Sequence, residues 1–315
     1  MNGPILVVCG AINWDINLYV KRFGSPGEEV PVPKIERVPG GKGANVAVAV
    51  ARILGKGKCE ILGGIGNDEI GKKHLEEFER EGVGSRWLTT FKDVESGQAY
   101  ILIDEKGENQ INTHFGANIA LNVKDVERIR NLLDKIEFLA IMDPPIAFTE
   151  GILKLAKNAI KVWSPGVRVR NDRKSVTSFL KYIDYLVLNE HELLDLSGVT
   201  DMSKVYRELE ENNPKLRVIV TQGSKGVTLL TPSEVKFVKG IELKKIGLKV
   251  VNTTGCGDTF VGAFIAYLVL GAPQESALEM ANLAAAIKAS KYETRGSPTK
   301  SELECYRKKL FSIKP

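Results

Sequence analysis

The segment Asn252-Thr-Thr-Gly-Cys-Gly-Asp-Thr-Phe260 sets two glycines and a carboxylate at one chain corner. Gly255 and Gly257 allow a tight turn, and the apolar stretch that follows predicts a helix starting at once. Unpaired N–H groups at a helix start point outward and carry the positive end of its dipole, so such a corner suits an anion, most naturally a phosphoryl group. Asp258 stands in the same turn. A carboxylate there can take the proton of an attacking hydroxyl while the N–H groups stabilise charge on a group in transfer. The competing reading of an isolated Gly-x-Gly-Asp is a helix-terminal acid that merely complements the dipole.

Four further polar clusters accompany it. Asn13-x-Asp15 follows the first apolar run. Pro39-Gly-Gly-Lys-Gly-Ala-Asn45 is a second Gly-rich strand-to-helix corner, and Asn189-Glu-His-Glu192 follows a later apolar run. Val220-Thr-Gln-Gly-Ser-Lys-Gly226 follows another.

The elements that must position these clusters alternate. Continuous apolar runs at 5–9, 61–65, 138–142, 185–188 and 218–221 read as strands buried on both faces. Between them lie helical stretches at 44–54, 68–81, 123–134, 149–158 and 190–212; Ile70, Leu75 and Phe78 are expected inward on the second. The last third reads as helices over 258–270, 273–291 and 300–310. This pattern predicts a three-layer α/β/α domain over 1–315 with a mostly parallel sheet. Loops at the carboxyl ends of its strands gather at one edge, so the five clusters describe one cleft. Two polar segments, 11–40 and 95–115, break the rhythm. They carry short extended pieces such as 17–20 and 30–32, and a hairpin joining 99–103 to 110–114, and should pair into a small accessory sheet. A second hairpin is expected near 227–238.

Composition narrows the classes. The chain has 315 residues, 43% hydrophobic and 26% charged, which excludes disorder as its main state. Its 30 Gly and 13 Pro follow no period, which excludes a collagen-like rod. The apolar run 260–270 is about half the ~20 residues a membrane span needs, so no membrane partner is expected. The net charge of +5 is spread without a basic stripe, so no nucleic-acid role is expected. Cys9, Cys59, Cys256 and Cys305 are too separated for a metal knuckle or a redox pair, and no signal-like segment precedes Ile5; a reduced, cytoplasmic protein is expected. Glutamine occurs only four times against abundant Lys and Glu, a bias of thermophiles.

Taken together and in this order, the clusters resemble the ribokinase, or PfkB, family of sugar and nucleoside kinases, over nearly the whole chain. Gly40-Gly-Lys-Gly-Ala-Asn45, His114-Phe-Gly-Ala-Asn118 and Thr254-Gly-Cys-Gly-Asp258 stand where that family places its motifs. The resemblance implies a ribokinase-like fold whose small sheet is a lid, often doubling as a homodimer interface. It implies Asp258 as catalytic base and Gly255, Cys256 and Gly257 as the anion hole. It implies sugar contacts from Asn13, Asp15, Gly41, Lys42, Asn45 and Asp143. It implies nucleotide contacts from Asn189, Thr221, Gly223, Ser224, Gly226 and Asn282, with Glu192 acting through water on Mg²⁺. The implied reaction is transfer of the γ-phosphoryl of ATP to a sugar hydroxyl, with ribose the leading acceptor. A nucleoside, another polyol, or a sugar phosphate such as ribose 1-phosphate, with ATP or ADP as donor, is the alternative within the class.

Two departures from the family pattern stand out. Asn252 replaces the usual Asp beside a K⁺ site, which keeps an oxygen but removes a charge and puts K⁺ activation in question. Asp143 replaces a Glu at the sugar, which leaves room for a larger substrate. Cys256 replaces the usual Ala, where only its N–H is needed. Arg168, Arg170 and Arg173 follow the turn at Trp163-Ser-Pro-Gly166 and read as solvated surface or, alternatively, as a phosphate subsite. His74 and His191 read as surface residues, His114 as a lid residue within reach of substrate, and Trp14 as either a sugar wall or core. A silent sugar- or nucleotide-binding regulator on the same fold is disfavoured by the retained Asp258, Asn189 and Glu192. A dinucleotide-dependent dehydrogenase is disfavoured because Gly10-Ala-Ile-Asn-Trp14 lacks the Gly-x-Gly-x-x-Gly fingerprint.

Overall fold

The computed structural model of the protein describes residues 6–199 and 201–312. Ile5 of the expected first strand, Thr200, and both ends of the expected 1–315 domain lie outside the described residues. The strands are β1 (Leu6–Cys9), β2 (Asn13–Tyr19), β3 (Lys34–Gly40), β4 (Cys59–Leu62), β5 (Gly64–Gly66), β6 (Thr89–Phe91) and β7 (Gly97–Ile103). They continue as β8 (Asn109–His114), β9 (Phe138–Ile141), β10 (Ile160–Trp163), β11 (Tyr185–Asn189), β12 (Arg217–Thr221), β13 (Gly226–Leu230) and β14 (Val235–Lys239).

Among the described residues, eight strands form one sheet in the order β14-β13-β12-β11-β10-β9-β1-β4. From β12 to β4 every pairing is parallel; at the other edge the β12–β13 and β13–β14 pairings are antiparallel. The apolar strands bury alternate residues on opposite faces. Leu6 and Val8 join one core with helices Lys42–Leu54, Cys256–Val269 and Gln274–Ala289. Val7 and Cys9 join the other, under helices Ile146–Leu155, Glu190–Ser197 and Met202–Glu210. This is the three-layer α/β/α arrangement expected of the β–α alternation.

Strand β1 leads to β4 on one side, while the chain later enters β9 on its other side, so the strand order reverses beside β1. Such a switch point opens a crevice at the carboxyl ends. There the Ala11 N–H donates to Asp143 Oδ1 at 2.9 Å, tying the ends of β1 and β9 together.

The small sheet forms as expected, in the order β3-β2-β7-β8. Its hairpin turns at residues 104–107, where Asp104 Oδ1 accepts the N–H groups of Lys106 and Glu108. Several boundaries differ from the sequence reading. Residues 30–32 are not a strand; the partner of β2 is β3. The run 61–65 is split at Gly63 into β4 and β5, which belong to different sheets. The stretch 190–212 is two helices with a left-handed Gly198 between them, and 123–134 is likewise two short helices. Strand β10, short and flanked by turns, escaped the sequence reading. On helix Glu69–Glu81 the buried stripe is Gly71, His74 and Phe78, and Leu75 is 39% exposed. The stripe is rotated relative to expectation because β2 packs its Trp14 edge-on against the His74 ring, 5.2 Å between centroids.

Candidate active site

Helix Cys256–Val269 begins after Gly255, whose φ of +80° is open to glycine at little cost. A side chain there would also strike the Thr294 carbonyl. The Cys256 N–H turns back to Thr253 O at 3.2 Å, while the N–H groups of Gly255 and Gly257 have no backbone acceptor among the described residues. Those two are available to an anion, and the helix dipole adds to their pull.

Asp258 occupies the first turn of that helix and is partly exposed. Asn45 Nδ2 donates to its Oδ2 at 2.8 Å. Asn45 lies in the first turn of helix Lys42–Leu54, which the second glycine corner starts; Gly41 there has φ +88° and packs on the backbone of Ala11 and Asn13. Burial pushes the Asp258 carboxyl above the ordinary aspartate value; the Asn45 hydrogen bond, Lys42 and Arg295 oppose that rise, and Asp143 adds to it. A carboxylate whose pKa is moved upward is a stronger base toward a hydroxyl.

Asp15 is 7% exposed and its pKa is raised to about 7, first by burial, with Arg295 opposing and Asp258 contributing. Asn13 Oδ1 accepts from Asn118 Nδ2 at 2.8 Å, and Asn118 Oδ1 accepts the Ile12 N–H at 2.8 Å. Asn118 thus fastens the His114–Asn118 motif to the start of strand β2. Lys42 lies against Gly166: a Cβ at that glycine would collide with Lys42 Nζ and stand 4.0 Å from Glu192 Oε1. Lys42 therefore lies between the Asp258 side of the cleft and the Asn189–Glu192 side.

Asn189 and Glu192 form a reciprocal N-terminal box: Asn189 Oδ1 accepts the Glu192 N–H at 2.9 Å, and Glu192 Oε2 accepts the Asn189 N–H at 3.0 Å. The motif has a structural duty, and Glu192 Oε1 remains outside the box. Asn189 pairs in register with Thr221 across β11 and β12. The Gly223–Lys225 turn follows, and Gly226 opens β13 opposite Lys239. Asn282 Nδ2 donates to Lys239 O at 2.7 Å, so the helix Gln274–Ala289 is tied to this same corner.

Residues without a sequence signal complete the site. Arg295 is 7% exposed; its Nε donates to Asn45 Oδ1 at 3.2 Å and its Nη2 to Gly40 O at 2.8 Å. Burial lowers its pKa to about 10, and it stays charged. It supplies the positive charge beneath Asp15 and Asp258. The fully buried Lys288 donates from Nζ to Asn252 O at 2.9 Å.

Other candidates fall elsewhere. His74 is buried, not surface, and its pKa is lowered to about 3, chiefly by burial. His191 is exposed. His114, at the end of β8, lies 3.5 Å from Glu95. Trp14 is half-buried and packs edge-on against His74. Arg168 is not solvated surface: Nη2 donates to Asp143 O at 3.0 Å and Nη1 pairs with Asp172 at 3.1 Å. Arg170 is exposed and pairs with Asp195 at 3.0 Å, and Arg173 is exposed. Asp143, Asp172 and Asp195 thus engage the guanidinium groups of Arg168 and Arg170, while the buried Arg168 Nε has no partner among the described residues. Among the described residues no group of three His, Cys, Asp or Glu could hold a metal ion, and no helix is long and apolar enough to cross a membrane.

A parallel sheet with a glycine-started anion corner and a carboxylate held at its mouth defines a phosphotransferase of the sugar-kinase kind. The chain belongs to the pfkB family of carbohydrate kinases, whose model matches residues 5–301. It is 31% identical over 315 residues to the ribokinase of Dictyostelium discoideum, spanning 94% of this chain and 98% of that one. The crystal structure of ribokinase from Thermotoga maritima superposes with a TM-score of 0.85 at 31% identity, covering 97% of this chain and 99% of the other. The Arabidopsis thaliana ribokinase complexed with ribose and ATP superposes with a TM-score of 0.84 at 26% identity, covering 96% and 98%.

Proposed function

We propose that this carbohydrate kinase transfers the γ-phosphoryl group of ATP to a hydroxyl of a small sugar, with ribose its leading acceptor. The observation that carries the reading is Asp258, held by Asn45 at 2.8 Å in the first turn of an anion-binding helix. The relatives' names, and the ribose and ATP of the Arabidopsis complex, support the choice of acceptor and donor.

In this reading Asn13, Asp15, Gly41, Lys42, Asn45 and Asp143 orient the sugar. Amide and carboxylate groups read several hydroxyls at once, and a site built for hydroxyls rejects analogues that lack them. Asp258 takes the proton from the acceptor hydroxyl as it attacks. The Gly255–Gly257 N–H groups receive the charge on the transferring phosphoryl, and Lys42 neutralises part of it. Thr221, Gly223, Ser224, Gly226 and Asn282 hold the nucleotide, and Asn189 stands at the phosphate end. The donor enters as its Mg²⁺ complex. Mg²⁺ keeps several waters, and the Glu192 Oε1 left outside the helix box suits a water-mediated contact.

The small sheet acts as a lid that excludes water, which would otherwise compete as acceptor. Its exposed Ile35, Tyr100 and Ile111 support a homodimer formed through it. A cytoplasmic setting goes with an ATP donor and four free thiols.

The test is a phosphoryl-transfer screen of pentoses, hexoses, nucleosides and ribose 1-phosphate, each with ATP and with ADP, read by ³¹P NMR of the products. The expected result is the highest kcat/KM for ribose with ATP. A larger kcat/KM for ribose 1-phosphate, for a nucleoside, or with ADP as donor would replace the corresponding part of the reading.

A further inference from the structure

A lysine with no exposed surface needs a reason, because removing an ammonium from water is costly unless polar groups replace the water. Lys288 lies in the last turn of helix Gln274–Ala289, and its Nζ reaches Asn252 O at 2.9 Å. Among the described residues it forms no ion pair with a carboxylate. Its acceptor is a backbone carbonyl of the loop that leads into Gly255 and the anion corner. Burial lowers its pKa, opposed by Cys256, Glu293 and Asp258, so those three groups lie within its field. They belong to the catalytic helix start and the segment beside it.

The same loop is where a monovalent cation would sit in a family member that uses one, and its groups do not fit such an ion. Asn252 Oδ1 is taken by the Thr254 N–H at 2.9 Å. Asn252 Nδ2 faces outward as a donor and is bonded to Tyr292 O at 2.7 Å. The Ala289 carbonyl accepts the N–H groups of Val251 at 2.8 Å and Asn252 at 3.1 Å. Asn252 O holds the lysine. These four oxygens are thus occupied by N–H donors, one of them an ammonium.

We propose that Lys288 is a positioning residue that serves as a built-in cation, fixing the 252–257 loop and its anion corner so that turnover needs no added monovalent ion. An ammonium and K⁺ are similar in size and both are satisfied by carbonyl oxygens, so one can replace the other. The charge acts from behind the corner, where a developing phosphoryl charge gains from it, and its carrier is covalently part of the chain. The inference rests on the kinase reading for its consequence in turnover, but its structural half is independent of that reading.

The experiment therefore has two readouts, melting temperature and ATP-dependent turnover, each in KCl and in choline chloride at equal ionic strength. For the wild type both should be the same in the two salts. Lys288→Met keeps the bulk without the charge; kcat should fall at least tenfold, more than KM for ATP rises, and K⁺ should not restore it. Lys288→Ala opens the space; K⁺, and not choline, should restore kcat and raise the melting temperature saturably. A saturable K⁺ activation or K⁺-dependent melting shift in the wild type would overturn the proposal, as would unchanged kcat in Lys288→Met. Should no acceptor be phosphorylated at all, the kinase reading falls, and the melting series on wild type and Lys288→Ala still decides whether Lys288 occupies the cation's place. Should the variants fail to fold, the wild-type salt comparison decides it alone.

Discussion

Asn45 holds Asp258: one donates from Nδ2, the other accepts at Oδ2, 2.8 Å apart and 213 residues distant in the chain. The bond joins the starts of two helices, each opened by a glycine corner. It aims the carboxylate and favours its charged form, opposing the upward push of burial. Asn45→Ala should lower kcat by roughly tenfold, the worth of one charge-assisted hydrogen bond. It should also shift the acid limb of the kcat/KM profile to higher pH, because the carboxyl loses a group that favours its charged form. An unmoved acid limb would assign that limb to another group.

Arg295 bridges Asn45 and Gly40 from below. Arg295→Met keeps much of its bulk but leaves Asn45 Oδ1 and Gly40 O without their donor, and each unsatisfied buried acceptor costs about 1–3 kcal/mol. The variant should be destabilised by roughly 2–5 kcal/mol in urea unfolding. The carboxyls of Asp15 and Asp258 should both rise further, since the cation that opposes their protonation is gone. Wild-type stability in this variant would mean the guanidinium is replaceable by water.

Asp15 makes stability depend on pH in an uncommon direction. Its carboxyl titrates near 7 in the folded chain against the ordinary value of 3.8. Between those pH values the folded state holds a proton that the unfolded state has released, so stability falls as pH rises through that window. Asp15→Asn removes the ionisable group. Relative to wild type it should gain stability as pH goes from about 5 to about 8, on the order of a few kcal/mol at the upper end, while sugar binding is lost. Parallel stability curves for the two proteins across that range would show that Asp15 is ionised at little cost.

Gly40 offers a steric test of the sugar side. A Cβ there would collide with the Asp15 carboxylate, so Gly40→Ala must displace that group. The expected outcome is a KM for sugar raised at least tenfold with nucleotide affinity nearly unchanged, by isothermal titration. Equal losses for both ligands would point to a general loosening of β3.

Much of this was legible in the sequence. The glycine corners at 40–43 and 255–257 stand beside strong apolar runs, and that contrast marks both the helix starts and the sheet edge they share. Alternating polar and apolar residues revealed the 99–114 hairpin in the same way. What escaped depended on long-range contact. Arg295 sits in a polar, Gly- and Pro-bearing stretch that reads as surface, and only the approach of helices Lys42–Leu54 and Glu69–Glu81 buries it. His74 is flanked by Lys72, Lys73, Glu76 and Glu77, which hid it, although its spacing to Gly71 and Phe78 placed it on the buried stripe. Lys288 likewise follows Ala281 and Ala284 at helical spacing, a position where a lysine should have drawn notice. Arg168 escaped as a buried tie because its bond to the Asp143 carbonyl, like the bond from the Ala11 N–H to the Asp143 carboxylate, is invisible in one dimension.

The central claim is that Asp258 is the base in phosphoryl transfer from ATP to a sugar hydroxyl. The most direct measurement compares wild type and Asp258→Asn in the rate of ribose phosphorylation, with ATP affinity measured on the same samples. The expected result is phosphorylated ribose from the wild type. In the variant, kcat should be lower by ~10²–10⁴-fold, the usual worth of a general base, with ATP bound about as well and an unchanged melting curve. A variant that phosphorylates within a few-fold of wild type, or a wild type that phosphorylates no sugar, would contradict it.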